Sequence, residues 1–125
     1  MFKKYLKIIV VVIFCFSCGT NDPRIEFWPN GKKKFEVEMK NGKLNGKTTG
    51  WYENGAKKTE IEYKDGKKNG RCIVWYEGGA KISEVEYISD QKNGKYTIWA
   101  ENGRIISEEE FKDGKKIRGD LEPTK

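Results

Sequence analysis

Hydrophobic and polar positions along the chain follow two regimes. From Ile8 to Phe16 nine apolar residues run unbroken, after a start that carries Lys3, Lys4 and Lys7. Past Cys18 the apolar residues spread out. Thr59-Glu60-Ile61-Glu62-Tyr63 alternates at period two, the mark of a half-buried strand. Arg71-Cys72-Ile73-Val74-Trp75-Tyr76 is rich in β-branched and aromatic residues, as strands are. The pattern returns every 24 residues: Gly31, Gly55, Gly79, Gly103; Phe27, Trp51, Trp75, Trp99; Met39, Tyr63, Tyr87, Phe111. Glu36-x-Glu38 recurs as Glu60-x-Glu62, Glu84-x-Glu86 and Glu108-x-Glu110. A period of this length marks a repeat architecture.

Each unit holds two strand-like runs and two connections. Glu53-Asn54-Gly55 and Glu101-Asn102-Gly103 suit a three-residue loop, a type I turn closed by a left-handed glycine. The other connection, Lys64 to Gly70, reads as a longer loop with glycine at two positions. With these loops Tyr52 faces Ala56 and Thr49 faces Thr59, while Tyr63 faces Arg71 and Ile61 faces Ile73. The period is even, so every column then stays on one face. One face collects Phe35, Val37, Met39, Trp51, Ile61, Tyr63, Ile73, Trp75, Val85, Tyr87, Trp99 and Phe111. The other carries the eight repeat glutamates among Tyr52, Val74, Tyr76, Tyr96 and Ile98. A slip of one residue would turn the arrangement inside out. The fold expected is all-β: a single-layer antiparallel meander of about eight strands from Arg24 onward, in about four repeats.

Composition tests that expectation. Leu, Ile, Val and Phe make up 17 of the 108 residues after Ser17, a share typical of disordered chains. Aromatic side chains offset the shortage, since each buries ~150–250 Å², an upper bound of ~4–6 kcal/mol per ring at ~25 cal/mol per Å². The final unit decays: Glu109 enters an apolar column and Ile117-Arg118-Gly119 replaces Lys-Asn-Gly, as an end cap should. There is no histidine, which excludes Ser-His and Cys-His pairs and imidazole-dependent zinc sites. The net charge of +6 falls to +3 without Lys3, Lys4 and Lys7, which argues against nucleic-acid binding.

The apolar run is too short to span a membrane but suits a signal-peptide core. It ends in Cys15-Phe16-Ser17-Cys18, followed by Gly19. This resembles the lipobox of bacterial lipoproteins, with Cys15 where leucine is usual. The resemblance implies cleavage before Cys18 and lipid on that residue. Residues 1–17 are then a signal peptide, 18–23 a lipidated tether, 24–122 the repeat domain and 123–125 a tail. The expected location is the bacterial cell envelope, on its periplasmic face or the cell surface. Cys72, the one remaining thiol, shares its column with Thr48 and Tyr96 and reads as a strand residue.

Glu62-Tyr63-Lys64-Asp65-Gly66-Lys67-Lys68-Asn69-Gly70 and Trp51-Tyr52-Glu53-Asn54-Gly55 closely resemble the bacterial variant of the MORN repeat (membrane occupation and recognition nexus). The resemblance covers roughly residues 24–119. It implies protein or lipid-headgroup contact with no chemistry, and it extends to antitoxin-like members of toxin–antitoxin systems.

Candidate residues fall into three sets. Cys18 is the lipidation site. Trp51, Trp75 and Trp99 beside Tyr63, Tyr87 and Phe111 form a candidate aromatic binding face, although the same rings suit the core of a thin sheet. Lys43, Lys47, Lys64, Lys67, Lys68, Arg71, Lys92, Lys95, Lys115 and Lys116 form a candidate basic edge, with Lys40 and Lys112, opposite Glu53, Glu77 and Glu101. The repeat glutamates recur ~10 Å apart, too widely for one metal, and face lysines instead. The leading expectation is a lipid-anchored, non-catalytic module that binds a protein partner. Alternatives are an antitoxin or immunity-type protein masking a toxin domain, and a module that binds anionic lipid. No cofactor, metal, nucleic acid or small-molecule substrate is expected.

Overall fold

The computed structural model describes residues 21–119. They form nine strands: β1 (Arg24–Phe27), β2 (Lys33–Lys40), β3 (Lys43–Trp51), β4 (Lys57–Lys64), β5 (Lys67–Trp75), β6 (Lys81–Ile88), β7 (Gln91–Trp99), β8 (Ile105–Lys112) and β9 (Lys115–Gly119). All lie in one open antiparallel sheet in chain order. No helix occurs among the described residues. The meander is the one the repeat predicts, with Lys115–Gly119 adding a ninth strand to the eight expected. The signal segment and Cys18 lie outside the described residues.

The three-residue loops form as expected. Tyr52 N donates to Ala56 O and Gly55 N to Tyr52 O, both at 2.9 Å, with Gly55 at φ +93°. One residue into the strands, however, the ladder bulges. Trp51 pairs with Lys57 and Gly50 with Thr59, so Thr49 faces Glu60 rather than Thr59.

The longer loop does not exist. Asn41-Gly42, Asp65-Gly66, Ser89-Asp90 and Asp113-Gly114 make two-residue turns in which both residues have positive φ, +50° and +84° at Asp65 and Gly66. That is the type I′ hairpin, whose twist matches the flanking strands, so pairing resumes at once. Lys64 faces Lys67 and Tyr63 faces Lys68, not Arg71; after a bulge, Ile61 faces Cys72, not Ile73. The bulge is built around Gly70. Arg71 N donates to Glu62 Oε2 at 2.9 Å, and Gly70 holds φ +119°. A side chain on Gly70 would collide with that carboxylate. Gly46, Lys47 and Glu38 repeat the arrangement.

Both registers differ from the expected ones by an odd number of residues, so each odd-numbered strand is turned over relative to its even-numbered neighbours. The expected faces are therefore wrong. On the first face the central row runs Val37, Thr48, Ile61, Cys72, Val85, Tyr96, Glu109. On the second it runs Glu36, Thr49, Glu60, Ile73, Glu84, Thr97, Glu108. Each face keeps a thin core of its own: Val37, Thr48 and Val85 are buried on the first, Thr49, Ile73 and Thr97 on the second.

Candidate functional site

The registers split the expected aromatic face in two. Trp51, Trp75 and Trp99 lie with the glutamates on the second face, and Tyr63, Tyr87 and Phe111 lie on the first, with Tyr96 and Cys72.

On the second face one constellation is repeated three times. Lys33, Lys57 and Lys81 each pair with the glutamate three residues on, as in Lys57 Nζ to Glu60 Oε2 at 2.6 Å. Each also lies 5.7 Å from the ring of the next unit's tryptophan: Trp51, Trp75 and Trp99. The hydrogen bond from Lys57 holds the Glu60 carboxyl below its ordinary range, against the opposing effect of burial. Nearer the two-residue turns, Lys47 faces Glu62, Arg71 faces Glu86, and Lys95 faces Glu110, an alternating charge row. Lys47 also reaches Glu60 at 3.4 Å and Lys95 reaches Glu108 at 2.8 Å. These carboxylates are spread among cations, and among the described residues no three acidic or thiol side chains converge.

The first face carries different chemistry. Tyr63, Tyr87 and Phe111 each face a glycine of the neighbouring bulge on one side, Gly46, Gly70 and Gly94. On the other side they face Lys68, Lys92 and Lys116. Lys68 Nζ lies 5.0 Å from the Tyr87 centroid; Lys92 Nζ lies 4.1 Å from Tyr96 and 4.8 Å from Phe111. Tyr96 meets Phe111 edge-on at 6.3 Å. Cys72 sits half-buried among them, and burial pushes its thiol pKa up, partly opposed by Lys68 and Lys92. Burial likewise raises the phenol pKa values of Tyr63 and Tyr87.

The expected basic edge divides in the same way. Lys43, Lys64, Lys67 and Lys115, with Lys40 and Lys112, do flank the two-residue turns. Lys47, Arg71 and Lys95 belong instead to the charge row of the second face. Lys68 and Lys92 lie over rings on the first, and Lys116 pairs with Glu109 at 2.8 Å.

Successive units are also stitched at both edges. Trp28 Nε1 donates to Trp51 O, Tyr52 OH to Trp75 O and Tyr76 OH to Trp99 O, at 3.1, 2.7 and 3.3 Å. At the turn edge Gly66 N donates to Leu44 O, Asp90 N to Lys68 O and Gly114 N to Lys92 O. The unit is thus a pair of strands whose edges and charges are completed only by the next copy. A family model described as the MORN repeat variant matches residues 23–41, 44–65 and 92–113, about half of the chain. The chain belongs to the MORN repeat variant family. Between the matched segments, β5 and β6 continue the MORN geometry unbroken. No curated protein matches the sequence. MORN repeats are in general protein- and lipid-binding modules.

Sequence reasoning missed two groups that contribute to these faces. Lys33, Lys57 and Lys81 were legible as a column at the repeat spacing. Lys68 and Lys92, which share one column, were assigned to the edge because the turn was drawn too long.

Proposed function

We propose that this MORN-repeat protein is a lipid-anchored component of the bacterial cell envelope that works without catalysis, by holding another protein against its sheet. The binding half of the reading is carried by one observation: the sheet is a single layer, and nothing among the described residues packs on either face. No large side chain among them is less than 2% exposed, and the rings of the first face stay half-buried. Aromatic surface left open in this way usually marks a contact. The anchoring half rests on Ser17-Cys18 and the apolar run before it. The absence of chemistry is supported by a chain without histidine and by a Cys72 thiol whose pKa burial raises.

Recognition of anionic lipid by one basic edge has less support, because that set of cations is shared among both faces and the turns. A toxin as the protein partner would be the antitoxin-like case of the same reading. Two measurements test it. Metabolic labelling with an alkyne fatty acid should mark the wild type and not Cys18→Ala; equal labelling overturns the anchor. A photo-crosslinking residue at Ile98, on the first face, should capture a protein in cells. Capture of none there, and none from Lys95 on the second face, overturns protein binding.

A further inference from the structure

The strand lysines fall into different settings, with Lys34 and Lys58 exposed over the rings of Trp28 and Tyr52. On the second face Lys33, Lys57, Lys81, Lys47 and Lys95 all have a carboxylate within 4 Å. On the first, Lys116 has Glu109. Lys68 and Lys92 have none among the described residues; their ammonium groups rest on the rings of Tyr87, Tyr96 and Phe111. Both side chains are half-buried, unlike the exposed turn-flanking lysines Lys64 and Lys67. The cation–π contacts fix the heads in place, so little side-chain freedom is left to lose on binding. Beside them on the first face lie Tyr63 and, in the next row, Cys72, Val85 and Tyr96.

We infer that the first face takes an acidic, apolar segment of a partner protein, with two carboxylates meeting Lys68 and Lys92 and apolar side chains meeting Tyr87 between them. This rests on the protein-binding reading above and names the partner's chemistry. Lys68 and Lys92 stand on β5 and β7, two strand spacings or ~10 Å apart. Residues seven apart on a helix lie ~10.5 Å apart on one side, with residues three and four between them. An acidic amphipathic helix therefore matches the spacing. A membrane matches less well: of the strongly exposed apolar side chains, Phe27, Ile105, Ile106 and Ile117 belong to strands near the ends of the sheet, and Ile88 closes β6 on the second face. Two half-buried lysines with no carboxylate within 4 Å favour acidic partners and reject basic ones.

The test uses the full-length protein in neutral detergent and labelled helical peptides of about five turns. One carries glutamates seven apart around leucines; its analogue carries lysines at the same positions. Fluorescence anisotropy should show binding of the acidic peptide, weakened by salt, and little binding of the basic one. Lys68→Glu with Lys92→Glu should weaken the acidic peptide about tenfold or more and let the basic peptide bind. Lys68→Gln with Lys92→Gln, which keeps the stems, should weaken the acidic peptide without that reversal. Circular dichroism checks that each variant is folded. Equal binding of the two peptides, no binding of either, or indifference to all these substitutions overturns the inference. So does binding to phosphatidylglycerol vesicles, sensitive to the same variants, without binding to the acidic peptide. Failure here alongside protein capture from Ile98 in cells removes the acidic partner and leaves protein binding standing.

Discussion

Replacing Gly70 by alanine probes the bulge that sets the register of β5 against β4. Two costs add at that position. Gly70 holds φ +119°, where an L-residue is strained by about 1–3 kcal/mol. Its new Cβ would also lie 2.9 Å from Glu62 Cβ and displace the carboxylate that accepts Arg71 N. Losing that charge-assisted hydrogen bond costs about 1.5–3 kcal/mol. The sum is about 2.5–6 kcal/mol, a drop in Tm of ~10–48 °C at the ~4–8 °C per kcal/mol of a small domain. Gly66 is the control. It holds φ +84° in a turn with nothing within 4 Å of an added Cβ, so alanine there should cost only about 1–2 kcal/mol. Urea unfolding of the full-length protein, followed by tryptophan fluorescence, measures both. Glu62→Ala should then lower the cost of Gly70→Ala, because the displaced partner is already gone. Equal losses for the two glycines, or no coupling to Glu62, would refute the account of the bulge.

Three shorter predictions follow from the burial and ionisation of particular groups. Thr48 is 6% exposed and its Oγ1 has no hydrogen-bond partner, so Thr48→Val should raise stability by about 1 kcal/mol; a loss in thermal melting would contradict this. Glu60 is ionised more readily than a free glutamate, whose pKa is 4.5, because of Lys57. Its folded pKa is the lower one, so its contribution is complete above that ordinary value and disappears as pH falls through the folded pKa. Glu60→Gln should flatten the acid limb of the stability profile, and an unchanged limb would show the pair to be idle. Burial raises the Cys72 pKa, so iodoacetamide should modify the folded protein more slowly than the urea-unfolded chain at mildly alkaline pH; equal rates would place the thiol in solvent.

The repeat, the fold class and the three-residue loops were legible because each rests on spacing or on one short turn. The register was not, and the reason lies in Asp65-Gly66-Lys67-Lys68-Asn69-Gly70. This stretch contains two glycines, either of which could close a loop. Asp65-Gly66 is the stronger two-residue hairpin signal, and Asn41-Gly42 and Asp113-Gly114 repeat it, but the third copy, Ser89-Asp90, lacks the glycine. The second glycine sits in a bulge instead of a turn, and at Gly70 the Glu62 carboxylate takes the backbone amide of Arg71 and occupies the space a Cβ would need. That contact joins residues nine apart across two strands and leaves no trace in local patterning. Because the period is even, columns stay coherent under either parity, so the wrong faces were as self-consistent as the right ones. The candidate site inherited the error: Trp75 and Tyr87 were placed together, while the pairing of Tyr87 with Lys92 was out of view.

Several of the links between units change within the unit that ends in β9. The donor column Trp28, Tyr52, Tyr76 ends in Ala100, which has no side-chain group to offer. The column Lys33, Lys57, Lys81 ends in Ile105, so no cation is presented to a further ring. The bulge glycines Gly46, Gly70 and Gly94 end in Arg118, and β9 pairs with β8 through a smaller irregularity. In the central row of the first face, Val37, Ile61 and Val85 give way to Glu109, neutralised by Lys116 of the same hairpin. Charge on this terminal hairpin discourages another chain from adding to the open edge at β9. Substitutions in one unit that look unrelated by type thus act together on the contacts that join one repeat to the next.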